Sequence, residues 1–191
     1  MNKDIILFGI QGSGKGTQAS RLLADFPIFK HLEPGQVFRA ITSNHNIISE
    51  HIKDRMRQGK MLDDHLIFDL FNMYYHLLDE ESLMLTDGFP RTIPQMYYFL
   101  SKECKHKRDY LGIYFEISRE QAVERILKRA HEQNRADDLD MTTINQRLDL
   151  FEQETMPVIS YFKSIGKLIT IDALQSIDEI YAQLKDALMK S

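Results

Sequence analysis

Gly9-Ile-Gln-Gly-Ser-Gly-Lys-Gly-Thr17 decides how the rest of the chain is read. It follows the apolar run Asp4-Ile-Ile-Leu-Phe8, a buried strand by composition. It leads into a helical pattern that carries Leu22 and Leu23 and ends near Asp25-Phe26-Pro27. Glycines in such a turn permit backbone angles that other residues resist, so several N–H groups can turn toward one anion. The helix N-terminus adds partial positive charge and Lys15 adds a full one. Strand, glycine loop, lysine and helix together signal a cradle for a nucleoside triphosphate, built from Gly12, Ser13, Gly14, Lys15, Gly16 and Thr17. The commoner motif has Ser or Thr directly after the lysine, to ligate Mg2+. Here Gly16 stands there, and Thr17 is turned a further 100° or so round the helix. Mg2+ keeps several waters readily, so it is expected to be held by the nucleotide and by water-bridged carboxylates. Asp87 is the candidate carboxylate, at the end of the apolar strand Leu83-Met-Leu-Thr86, where an α/β sheet places ligands. An aspartate there also suits a turn or a helix cap.

Working outward, Ile28 to Leu32 reads as a short strand and Pro34-Gly35 as a break. Residues 36–78 read as helical, with Val37, Phe38 and Ile41 on one face. Ile47, Ile48, Ile52 and Met56 form a second face ended by Gly59. Leu66, Ile67, Leu70 and Met73 form a third, in a helix that Asp63 can cap. Thr92 to Leu100 predicts a helix with Pro94 in its first turn, followed by a basic loop from Lys102 to Arg108. Tyr110 to Ile117 and Leu168 to Ile171 read as strands. Ser118-Arg-Glu-Gln121 and Ser176-Ile-Asp-Glu179 have the form of capping boxes opening helices, the first running to about His131. Thr142 to Lys163 predicts one long helix kinked at Pro157. Five strands alternating with helices imply an α/β fold with a parallel sheet covered on both faces, residues 36–78 being an appended lobe.

With 191 residues the chain fits one domain, and 43% hydrophobic with 27% charged residues fits an ordinary globular protein. The net charge of −4 argues against a broad nucleic-acid-binding face. The longest apolar run, Ile5 to Ile10, is too short to span a membrane or to serve as a secretory core, so no membrane partner is expected. A single cysteine, Cys104, allows no internal disulfide, and a cytoplasmic setting is expected. Cys104 itself is expected to be buried or half-buried. The seven histidines show no metal-binding spacing and read as surface or lobe residues.

At this point the chain resembles the adenylate kinases, short-form nucleoside monophosphate kinases of the P-loop NTPase class. Gly9–Gln18 is similar to the family's GxPGxGKGTQ, and Gly35-Gln-Val-Phe-Arg39 to its TGDxxR element. Asp87-Gly-Phe-Pro-Arg-Thr-Ile-Pro-Gln95 matches its DGFPRTxxQ signature, and Arg125, Arg129, Arg135, Asp137-Asp138 and Arg147 fall at the spacing of its phosphate-clamping arginines. The resemblance implies a three-layer P-loop NTPase fold. Its core would be 1–33, 79–129 and 141–191, with a helical monophosphate-binding lobe at about 34–78 and a short lid at about 130–140. It implies ATP, AMP and ADP as partners, Mg2+ bound with ATP, and a monomer.

On that resemblance Arg39 and Arg91 grip the AMP phosphate by bidentate forks. Gln95 presents a donor and an acceptor to the adenine edge. Pro34, Gly35, Leu62 and Gly88 line the AMP side. Lys15, Arg91, Arg129, Arg135 and Arg147 surround the transferring phosphoryl group. Arg125, stacked on the ATP adenine, and Gln175 complete the ATP side. Taken singly, each arginine equally suits a solvated helix face, and the aspartate pair an acidic loop. Gln11, Pro34 and Gln36 depart from the family's Pro, Thr and Asp. Long-form members carry an inserted lid, sometimes with zinc cysteines. The five residues between Arg129 and Arg135 contain no cysteine, so no zinc is expected.

The resemblance implies reversible phosphoryl transfer from MgATP to AMP, giving two ADP. The acceptor phosphate is already ionised near pH 7, so no general base is required. A pyrimidine monophosphate kinase of the UMP/CMP type is the neighbouring alternative, in which Asn is usual where Thr92 stands and again near Gln95. A GTPase switch would need an NKxD motif after a later strand, and the only Asn-Lys is Asn2-Lys3.

Overall fold

The structure, a computed structural model, describes residues 2–133 and 140–190; of residues 129, 131–133 and 190 it describes the backbone alone. Five strands, β1 (Lys3–Phe8), β2 (Phe29–Leu32), β3 (Leu83–Asp87), β4 (Asp109–Glu116) and β5 (Leu168–Asp172), form one sheet in the order β2-β3-β1-β4-β5. Every neighbouring pair is parallel.

A parallel sheet covered on both faces needs strands that bury alternate residues in opposite directions. β1 does so. Ile5 and Leu7 join a core with Leu22 of helix α1 (Lys15–Asp25) and Leu184 of α9 (Ile177–Lys190). Ile6 and Phe8 enter a second core on the other face. That core is rich in aromatic rings, among them Phe71, Phe89, Phe99 and Phe162. It is covered by α2 (Pro34–Ile41), α3 (Ile47–Arg57), α4 (Asp64–His76), α5 (Ile93–His106) and α8 (Met156–Ser164). A third, smaller cluster joins Ile10 to Ala122 and Ile126 of α6 (Arg119–Gln133) and to Ile144 and Leu148 of α7 (Met141–Leu150).

Both capping boxes form. Ser118 and Gln121 exchange bonds of 3.2 and 3.3 Å, and the N–H of Ser176 donates to Glu179 at 2.9 Å. Several expectations are corrected. Pro34-Gly35 opens α2 instead of breaking the chain, because a proline in the first turn gives up only an N–H that has no partner inside the helix. Ile47, Ile48 and Met73 are exposed, since the helices carrying them bury only a narrow face each. Asp63 sits at the N-cap of α4 but takes bonds from His51 and Arg55 in place of the helix amides. The basic segment after Leu100 continues α5 to His106, and Cys104 lies exposed on its solvent side. The long helix near Pro157 does not simply kink. Pro157 has no N–H for the carbonyl of Gln153, and Phe151–Thr155 widens to a π-helical segment between α7 and α8. No helix among the described residues is long and apolar enough to cross a membrane.

Candidate active site

The strand order places the site. After β1 the chain crosses over β3 to β2, whereas after β3 it crosses β1 to β4. The carboxyl ends of β1 and β3 therefore mark the point where successive connections diverge, and ligands of open α/β sheets bind there. Leu7 pairs with Asp87 across these strands, so the glycine loop after β1 and the Asp87–Gln95 segment after β3 emerge side by side.

In the loop, the Ser13 N–H closes a turn on the Ile10 carbonyl at 3.1 Å, and Gly14 caps α1. Gly12 adopts φ +89°, and a Cβ there would sit 2.8 Å from the Ala122 carbonyl oxygen. Only glycine fits between this loop and α6. The first turn of α1 carries no acidic residue, so its partial positive charge is not neutralised from within the helix. Lys15 Nζ turns back over the loop and donates to the carbonyls of Gly9 at 2.6 Å and Ile10 at 3.1 Å. Gly16 and Thr17 lie at the exposed rim, and Ser13 is buried beneath.

Asp87 is buried. Burial pushes its carboxyl above the ordinary range, and the nearby Lys15 charge opposes that shift. Arg91 Nε donates to the Gly88 carbonyl at 2.8 Å, which lays the guanidinium across Gly88. Arg39 and Arg147 lie close enough for their charges to act on Arg91. Three guanidinium groups from α2, the β3–α5 segment and α7 thus converge. The carboxylates of Asp87 and Glu33 act on Arg91 more strongly and in the opposite sense, so the cluster mixes cations with acids. Arg39 donates to Glu33 at 2.8 Å.

The residues expected on the AMP side gather around α2 and α4. Pro34 and Gly35 form the first turn of α2, and Leu62 packs partly buried against the aromatic core. Gln95 is buried, with its amide already engaged. Its Oε1 accepts from the Arg91 N–H at 2.9 Å, and its Nε2 donates to Asp64 at 2.8 Å. One N–H and one lone pair of that amide remain for a ligand. At the other end, Arg125 donates to the Ala173 carbonyl at 2.9 Å, and Gln175 follows in the same turn, accepting from Gln183. Arg129 is placed by its backbone in α6, while Arg135, Asp137 and Asp138 fall outside the described residues.

Two residues at this site were not among those expected. His31 and Glu33 stand beside Asp87, and one donor atom from each of the three lies within 4.8 Å of the others. The signal is the register: Leu32 pairs with Thr86, so Glu33 follows opposite Asp87 and His31 shares its face of the sheet. These carboxylates give the site oxygen donors suited to a hydrated Mg2+.

A family model for adenylate kinase matches residues 7–167. The adenylate kinase of Phocaeicola vulgatus is 33% identical over 189 residues, covering 98% of each chain. That of Thermus thermophilus is 32% identical over 185 residues, 96% of each. That of Chlamydia muridarum is 29% identical over an alignment of 222 residues, 98% of this chain and 87% of the relative. The last alignment is longer than this chain's 191 residues, so that relative carries inserted residues that this chain lacks. A match across most of the sequence, together with a parallel sheet bearing the glycine loop at its switch point, places the chain in the adenylate kinase family, enzymes that transfer phosphoryl groups between nucleotides.

Proposed function

We propose that the chain catalyses reversible, in-line transfer of the terminal phosphoryl group of MgATP to AMP, giving two ADP. The observation that carries this reading is the meeting, at the carboxyl ends of β1 and β3, of a cationic glycine loop and the Arg91 guanidinium, with Arg39 and Arg147 near enough for their charges to act on it. The loop, Gly12 to Thr17, holds the ATP phosphates through backbone N–H groups and the α1 N-terminus. Lys15 exchanges its loop carbonyls for phosphate oxygens. Arg125 and Gln175 bracket the ATP base. Arg39 and Arg91 hold the AMP phosphate, while Pro34, Gly35, Leu62, Gly88 and Gln95 bound the nucleoside. Arg129, Arg135 and Arg147 complete the cationic ring around the transferring group.

Because the acceptor oxygen is already anionic, the work is positioning and charge stabilisation, with no general base. Asp87 would hold Mg2+ through water, and the ion would supply positive charge to offset that of the phosphate oxygens. Water is a competing acceptor, so the lobe at 34–78 and the lid at 130–140 close over the paired nucleotides. The chain works as a monomer in the cytoplasm on free nucleotides, without a nucleic-acid or membrane partner and without zinc.

A coupled assay of ADP formation from ATP plus AMP, run beside UMP and CMP, tests the reading. AMP is expected to be the preferred acceptor. A preference for UMP or CMP would move the chain to the pyrimidine class, and nucleotide binding without ADP formation would remove the kinase assignment.

A further inference from the structure

We propose that His31, Glu33 and Asp87 form a binding site for a first-row transition-metal dication, one imidazole and two carboxylates acting directly as ligands. This goes beyond a hydrated Mg2+ carried in by ATP. The new element is the imidazole. Mg2+ favours an all-oxygen shell, whereas a mixed nitrogen and carboxylate set favours Mn2+ through Zn2+ with affinity rising along the series to Cu2+.

Three observations carry the proposal. The donor atoms of the three residues lie within 4.8 Å of one another. Neighbouring ligands of such an ion, each at roughly 2.1 Å, stand about 3.0–3.4 Å apart, so side-chain rotations that bring the donors about 1–2 Å closer would close the set. His31 Nε2 is buried without a hydrogen-bond partner. A buried ring nitrogen left unpaired costs stability, and a metal ion or a proton shared with a carboxylate would satisfy it. Finally, the two carboxylates supply anionic oxygen donors toward a dication.

The neighbouring cations leave room for this ion. Lys15 donates to the Gly9 and Ile10 carbonyls while its charge also acts on Asp87, and Arg39 engages Oε1 of Glu33, one of its two oxygens. Both act electrostatically against a bound ion, as does Arg91. All three are drawn toward phosphate oxygens in the proposed reaction. A nucleotide would therefore strengthen the site, although the ion's protein ligands do not depend on it. The site shares Asp87 with the phosphate site, so the two readings need separate tests.

The test is a titration of the nucleotide-free chain with Co2+, followed by visible absorption and calorimetry, with Mg2+ as competitor. One Co2+ per chain is expected, with absorption bands moved from those of the hydrated ion by a nitrogen ligand. Millimolar Mg2+ should displace it poorly. His31→Gln and Glu33→Gln should each weaken Co2+ binding at least about tenfold, the loss that even outer-shell partners of a metal produce. Melting curves establish that each variant folds, and the pair of substitutions keeps the test usable if one does not. Absent stoichiometric binding, an unshifted spectrum, or affinity unchanged in the folded variants would overturn the proposal. ADP formation does not enter the readout: Co2+ binding without kinase activity would spare this site and sink the function, and the reverse result would do the opposite.

Discussion

At the scale of single residues, the loop shows how little freedom the site allows. Gly12 combines φ +89° with a backbone oxygen where its Cβ would go. Gly12→Ala is expected to cost about 1–3 kcal/mol in unfolding free energy, the range for a residue forced into a disfavoured backbone region. It should also weaken ATP binding, because α6 must move to admit the methyl group. Denaturant melts and nucleotide titration check both effects, and an unchanged midpoint would show that the loop is looser than its contacts. Lys15 makes a complementary case. Its ammonium rests on loop carbonyls 2.6 and 3.1 Å away, so its removal leaves the fold intact but removes a charge from the transferring group. Lys15→Ala should lower kcat by on the order of 10²–10³, the cost of one well-placed donor, with little change in melting temperature. Near-full turnover would refute the phosphate-cradle assignment. What was legible here was local: glycines, lysine and helix start are consecutive, and their chemistry follows from their order. His31, Glu33 and Asp64 were not legible. Each matters through a neighbour 28 or more residues away, brought close by strand register or helix packing.

Elements were legible where burial is regular. The strands declare themselves by short apolar runs, and the capping boxes by a hydroxyl three residues before an acid or amide. Elements failed where apolar residues were not used for burial, as with Ile47 and Ile48, or where a helix ended in charge, as with α5. The junction of α4 and α5 deserves a test because it joins the lobe to the site. Thr92 caps α5 by accepting from the Gln95 N–H at 3.3 Å, and its hydroxyl lies 3.4 Å from Asp64 as donor. Gln95 donates to the same carboxylate. Thr92→Ala should cost about 1 kcal/mol, as loss of a cap usually does. Thr92→Ser, which keeps the hydroxyl, should restore most of it. Since Gln95 and the Arg91 backbone are tied to this junction, the alanine variant should also raise KM for AMP more than it lowers kcat. An equal fall in kcat/KM for both nucleotides would place the junction outside the AMP side.

Across the whole molecule, the candidate site and a buried ionic network occupy opposite ends of the strands. The site lies at the carboxyl ends of the strands. At their amino ends Asp4 accepts from Arg108 at 2.5 and 2.6 Å and from the Met84 N–H at 2.7 Å, joining β1, β3 and the start of β4. Glu103 of α5 is buried against this group with neither oxygen accepting a hydrogen bond. A protonated Glu103 resolves that conflict by donating to Asp4. Burial, reinforced by the Asp4 charge, pushes its carboxyl up to about 9, with Arg108 opposing. The folded chain then keeps a proton that the unfolded chain releases near the ordinary value of 4.5. Between those limits the unfolded state binds fewer protons, so stability falls as pH rises and levels off above about 9. Glu103→Gln preserves a donor toward Asp4 without a titrating proton. It should flatten that slope, about 1.4 kcal/mol per pH unit, and leave the variant roughly 4 kcal/mol more stable than the parent at pH 8, with the two converging toward pH 5. Urea unfolding at a series of pH values measures this, and parallel curves for parent and variant would mean that Glu103 is ionised in the fold. Because the network lies at the far end of the strands from the glycine loop and the arginines, turnover at saturating nucleotide should not change. A variant that gained stability but lost turnover would show that the two ends of the strands are coupled.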